Sequence, residues 1–107
     1  MSYRIRTTRR WEADVRSTLD WIDRVQRRPQ EAEEWFEALQ DAMDSLARLP
    51  QRCPLAPESE RSDLEIRQLL FFSHRVLFTI LPEEVVVLQV RHASREPARP
   101  EKLDPDD

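Results

Sequence analysis

The chain contains no glycine, and that absence removes whole classes of function. A Walker phosphate loop, a dinucleotide-binding fingerprint and a nucleophile elbow all need glycine where the backbone turns tightly or meets a ligand closely. There is a single cysteine, Cys53, so no internal disulfide can form. The two histidines, His74 and His92, stand at unrelated positions and give no zinc-type ligand spacing. No structural metal and no cofactor are therefore expected. Long apolar runs are also missing. The opening Met1-Ser2-Tyr3-Arg4-Ile5-Arg6 carries neither a secretory signal nor a membrane span, which points to a cytoplasmic protein with no membrane partner. Excess positive charge is absent too: the formal net charge is −4, unlike that of a strongly basic polyanion binder.

What remains is enough for one domain. A chain of 107 residues, 39% hydrophobic with three tryptophans, has room for one modest core. Charge is unevenly spread. Residues 1–28 hold eight arginines against four acids, whereas residues 29–63 hold three against nine.

The densest apolar stretch is Leu64 to His92. Residues 75–81 and 85–91 are strand-length runs of Val, Ile, Leu, Phe and Thr broken by Pro82-Glu83-Glu84, and they predict an antiparallel hairpin. Apolar residues on both faces of both runs predict central strands that the rest of the chain must cover on two sides. Leu64-Glu65-Ile66-Arg67 alternates, which predicts a further strand at the wetter side of the sheet with Leu64 and Ile66 inward. Near the start, residues 3–7 alternate as a short first strand, after which Thr7 or Thr8 can cap a helix. Trp11, Val15, Leu19, Ile22 and Val25 form one apolar stripe, and Ala32, Trp35, Phe36, Leu39, Met43, Leu46 and Leu49 form a second. Arg27-Arg28 ends the first helix, Pro29 opens the second and Pro50 stops it. Residues 50–63 are a proline-rich crossing loop. The domain then spans residues 1–95, and 96–107 form a charged, flexible tail. The order is strand, helix, helix, strand, strand, strand.

With these pieces in that order, the chain resembles the RelE/ParE superfamily of bacterial toxins, and in particular its ParE-like plasmid-stabilisation members. The resemblance runs from residue 3 to about 95. It rests on Tyr3-Arg4-Ile5, the helix from Trp35 to Leu46, the run from Leu49 to Glu58, Glu65-Ile66-Arg67-Gln68-Leu69, residues 74–78 and residues 87–92. It implies an α+β toxin, β-α-α-β-β-β, with an antiparallel sheet packed against the helical hairpin and a cognate antitoxin as partner. ParE-like members with a known target inhibit DNA gyrase. RelE-like members instead cleave mRNA on the ribosome, using basic residues and an acid/base group on the sheet.

Cleaving mRNA needs a base for the ribose 2′-OH, an acid for the leaving oxygen and cations for the charge developing on phosphorus. Arg67, Arg75, Arg91 and His92 are the binding candidates. By similarity to the ribonuclease branch, Arg75 matches the strand arginine that holds the phosphate and His92 falls near the terminal acid group. Both are catalytic only if the chain is a ribonuclease, and Glu65 is a candidate base. A two-residue turn at Pro82-Glu83 would set Arg75 opposite Val90, so that Arg75 and His92 share a face. A three-residue turn would bring Arg75 onto the face of Arg91. Each residue also has a structural reading: Arg67 as a solvated strand residue, His92 as a hydrogen-bonded strand end, His74 as a loop residue and Cys53 as a small packed group. The sole tyrosine is Tyr3, so no tyrosine follows His92 as it does in RelE-type sites, and net acidity does not suit ribosomal RNA. The expectation is a ParE-like toxin directed at gyrase. A degenerate toxin that only binds the antitoxin is a third reading.

Overall fold

The computed structural model describes residues 2–107. Strand β1 (Arg4–Thr7) leads into helix α1 (Arg9–Asp20), and α2 (Pro29–Ser45) returns along it. After the crossing loop come β2 (Arg67–Phe71), β3 (His74–Ile80) and β4 (Glu84–His92). The strands lie in the order β1-β4-β3-β2. The α+β class and the element order are those expected, but the sheet is mixed. β1 runs parallel to β4, with Arg4 beside Glu84 and Thr7 beside Val87. Four alternating residues carry no mark of direction. The free edge of β4 accepts them, and α1 must leave from the end of β1 that lets it lie back across the sheet.

Thr8 makes that exit. Its hydroxyl accepts the Trp11 N–H at 3.1 Å as the helix cap and donates to the Leu88 carbonyl at 2.8 Å, tying the start of α1 to β4. Asp14 adds a second tie by accepting the Val90 N–H at 3.1 Å. Burial pushes the Asp14 carboxyl above its ordinary value, against the pull of that bond and of Arg10. α1 widens into a π-helical turn over Trp21–Val25. The extra residue per turn swings Val25 off the apolar stripe, so that it is exposed rather than packed as expected. In α2, Ala32, Trp35, Leu39 and Met43 are buried along the stripe and Leu46 is buried just past its end. The helix stops at Ser45, before Pro50, and Leu49 turns out to solvent with φ 46°.

The strand expected over residues 64–67 lies further along. Ile66 is fully buried, but its carbonyl accepts the Ala56 N–H at 2.7 Å and its N–H donates to Ser59 Oγ at 3.1 Å. The crossing loop has claimed its hydrogen bonds, and pairing with β3 begins only at Arg67. β2 is an edge strand, as the alternation predicted.

The β3–β4 hairpin resolves the two turn readings in an unexpected way. Leu81 N–H donates to the Glu84 carbonyl at 2.8 Å, so the turn has two residues. Phe78 then faces Val87 whereas Leu77 faces Gln89, leaving Leu88 as the extra residue of a β-bulge. Beyond the bulge the register is that of the longer turn, with Arg75 opposite Arg91 and His74 opposite His92.

Both faces of β3 and β4 are covered. Val76, Phe78, Val85 and Val87 pack under the helices with Leu39 and Trp35. Leu77, Val86 and Leu88 form a second layer with Ala56, Ile66, Ala98 and Leu103. Each large aliphatic or aromatic side chain so buried contributes about 1.5–3 kcal/mol. The segment 96–107, read from the sequence as flexible, lies folded on that second face in the structure, with Ala98 and Leu103 buried.

Candidate functional site

The bulge separates the residues that sequence reasoning grouped together. Arg75 and Arg91 share the face turned away from the helices; His92 shares the opposite face with His74. Arg75 is buried, and both ends of its guanidinium engage Glu58 at 2.9 Å. Gln68 Oε1 accepts a further bond at 3.0 Å. Burial alone would raise the Glu58 pKa, but hydrogen bonds from Arg75 and from the Ala98 N–H outweigh it and hold the carboxyl below its usual range. A two-point pair of this kind occupies the donors that a phosphate would need.

The other arginines are also engaged with the chain itself. Arg67 Nη1 donates to the Cys53 carbonyl at 2.6 Å and to that of Gln51 at 3.3 Å, and its Nη2 lies 3.6 Å from Glu65. Glu65, the candidate base, is an exposed partner in that ion pair. Arg91 donates twice to the Glu96 carbonyl, at 2.9 and 2.6 Å. Cys53 is buried, and its thiol is pushed up by burial despite Arg52 and Arg67, so it is a packed group and not a nucleophile.

A cleft of about 750 Å³ opens on the other face, between the tip of the helical hairpin and the β2–β3 turn. His74, His92, Trp35, Trp21, Phe72 and Glu34 are among its walls. Trp35 donates its indole N–H to His74 Nδ1 at 3.3 Å, which assigns the neutral ring's proton to Nε2. The two imidazoles meet edge to face at 5.1 Å, and His92 Nδ1 accepts the Ser94 N–H at 3.1 Å. Phe72 stands at φ 47° in the tight turn and is exposed. A bulky residue in the left-handed region at a cleft rim is costly, and such strain gathers at functional positions. Burial, and then the neighbouring His92, lower the His74 pKa from 6.5 to about 4. The ring is thus neutral near pH 7 and serves as a hydrogen-bonding wall group.

A pH dependence follows. The unfolded chain binds a proton at His74 below about pH 6.5, whereas the folded chain resists it down to about pH 4. Its contribution is fully present above pH 6.5 and is lost as the pH falls towards 4, by about 1–3 kcal/mol. The measurement is urea unfolding at several pH values for the wild type and His74→Asn, whose Oδ1 replaces Nδ1 as the acceptor. Equal losses in the two proteins between pH 6.5 and 4 would rule out this assignment.

Glu58 and Trp35 are the site residues that sequence reasoning missed. Glu58 is one acid among several in an aperiodic loop, and no spacing rule links it to Arg75. Trp35 fits the apolar stripe of α2, which conceals its hydrogen bond. Among the described residues, no three His, Cys, Asp or Glu side chains are grouped as a metal site requires, and no helix is long and apolar enough to cross a membrane.

Comparison with known proteins agrees with this architecture. Residues 5–97 match the family model described as the ParE toxin of type II toxin–antitoxin systems, parDE. Among solved structures, the chain is similar to one of the chromosomal ParDE system from P. aeruginosa, with TM-score 0.65 and 14% identity over 87% of this chain and 98% of that one. It is also similar to one of the RelBE2 toxin–antitoxin complex from Mycobacterium tuberculosis, with TM-score 0.59 and 21% identity over 86% and 99%. No curated protein sequence matches. These structural similarities show the shared fold, and the family match covers most of the sequence: the chain belongs to the ParE toxin family of type II toxin–antitoxin systems.

Proposed function

We propose that this toxin acts on DNA gyrase, as ParE-like members with a known target do, and not as a ribosome-dependent ribonuclease. The observation that carries this reading is the burial of Arg75 in its two-point pair with Glu58. The arginine that would hold a phosphate in the ribonuclease branch is a structural group here. Arg67 and Arg91 are spent on backbone carbonyls, and His92 lies on the opposite face from Arg75 and Arg91. No tyrosine follows His92 to supply the acid.

The cognate antitoxin holds the toxin inactive. Beyond Gln68, where the crossing loop stops pairing with β2, the outer edge of this strand is a place where an extended segment of the antitoxin can add as a strand, with exposed Leu70 and Phe72 beside it. Induced expression in a bacterial host, with and without the neighbouring reading frame, tests the proposal. Growth arrest with intact mRNA and disturbed plasmid supercoiling is expected, relieved by the neighbour. Arrest with cut mRNA would overturn the gyrase reading, and no arrest would leave only a protein that binds the antitoxin.

A further inference from the structure

The face of the sheet turned away from the helices carries Leu77, Val86 and Leu88, each 1% exposed or less. The chain covers them partly with residues 96–107. Four polar side chains of the domain meet this segment, and each meets its main chain. Arg91 donates to the Glu96 carbonyl at 2.6 and 2.9 Å, Gln89 to the Lys102 carbonyl at 3.1 Å, and Arg6 to the Pro105 carbonyl at 2.7 Å. Glu58 accepts the Ala98 N–H at 2.9 Å. Between these bonds, Ala98 and Leu103 sink into the apolar layer.

Donors aimed at three of its carbonyls, an acceptor aimed at an N–H and two apolar recesses are the means by which a protein surface takes up a peptide main chain. The segment's charged side chains do little of the holding; the Asp107 carboxylate, which accepts the Arg10 N–H at 2.9 Å, is the exception. The prolines at 97, 100 and 105 restrict the backbone of the segment and so lower the entropic cost of ordering it, and Pro100 opens a short 3-10 turn over Pro100–Lys102. Its acidic end, with Asp104, Asp106 and Asp107, meets the stretch of chain that carries Arg6, Arg9 and Arg10. The family match ends at residue 97, so residues 98–107 lie beyond the part shared with the family.

We propose that the second face of the sheet is a peptide-binding surface and that residues 96–107 occupy it in cis, as a strap that a partner offering an acidic peptide segment displaces. The hold is of the right strength for exchange. One methyl group and one leucine anchor the segment, and segments with few buried apolar contacts open locally well before the domain unfolds. The proposal does not depend on the toxin's target.

The test uses the full chain. In the wild type, the Ala98 amide should exchange with deuterium at least about tenfold more slowly than in an unstructured peptide. Leu103→Asp should release residues 98–107 to unstructured rates, while slow exchange in β3 and β4 shows that the domain has stayed folded. A synthetic peptide of residues 95–107 should then bind the Leu103→Asp chain saturably and the wild type at least about tenfold more weakly, because its surface is already filled. Ala98→Asp serves as a second releasing variant should Leu103→Asp fail to fold. Unstructured exchange at Ala98 in the wild type would overturn the strap. Peptide binding that is equal in the two chains, or absent from both, would overturn the binding surface.

Discussion

Glu58→Ala should destabilise the domain by about 3–5 kcal/mol, because it leaves the buried Arg75 guanidinium without a counter-charge. The loss exceeds that of the exposed pairs, such as Arg4 with Glu83 or Arg24 with Asp20, whose removal should cost about 0–1 kcal/mol each. The value of the pair lies in its completeness. Replacing both residues together, as Glu58→Leu with Arg75→Met, should recover much of the loss, since an apolar substitute of similar volume asks for no solvation. The Ala98 N–H would still lack its acceptor, leaving a residual cost of about 1–3 kcal/mol. A double-mutant cycle in urea is the measurement. Simple additivity of the two single variants would show that the ion pair is not the coupled unit described above.

Trp35→Ala should cost about 3–5 kcal/mol, the range for emptying a buried aromatic site. The ring packs 5.5 Å from Phe71 and 5.2 Å from His74, so its loss opens the cleft wall and the core at once. A second readout separates this from a simple cavity. With the indole gone, water reaches His74 and its pKa should climb from about 4 back towards 6.5, as followed by NMR of the imidazole protons. Trp35→Phe keeps the ring but loses the indole donor, so it should cost less and leave His74 largely shielded. An unchanged His74 titration in Trp35→Ala would mean that His92 and the strands, not the tryptophan, set its environment.

The parts legible in the sequence are those governed by periodicity and by breakers. The helical stripes as far as Ile22 and Leu46, the Thr8 cap, Pro29 at the first turn of α2 and the two-sided apolar strands all have local signatures, and the structure carries each one. The parts not legible depend on pairings between distant residues. Leu88 is one more apolar residue in an apolar run, yet as the bulged residue it decides which face receives Arg75 and which receives His92. Arg75 stands out in the sequence as a candidate to hold a phosphate, whereas in the structure its partner is Glu58. That partner comes from an aperiodic loop, so the sequence could name the cation and not the anion. Leu103 is a lone leucine among charges, a pattern that composition reads as mobile and that tertiary packing absorbs.

The pairing of β1 with β4 has a consequence for how the toxin comes into being. Thr8 and Leu88, joined by a hydrogen bond, are 80 residues apart, and β4 lies between β1 and β3 in the sheet. Synthesis proceeds at about 5–20 residues per second, so the first strand waits several seconds for the partner that shields it. Contacts this distant in sequence also slow the folding that follows. Until the last strand has left the ribosome the sheet cannot close, and β1 has no neighbour to pair with.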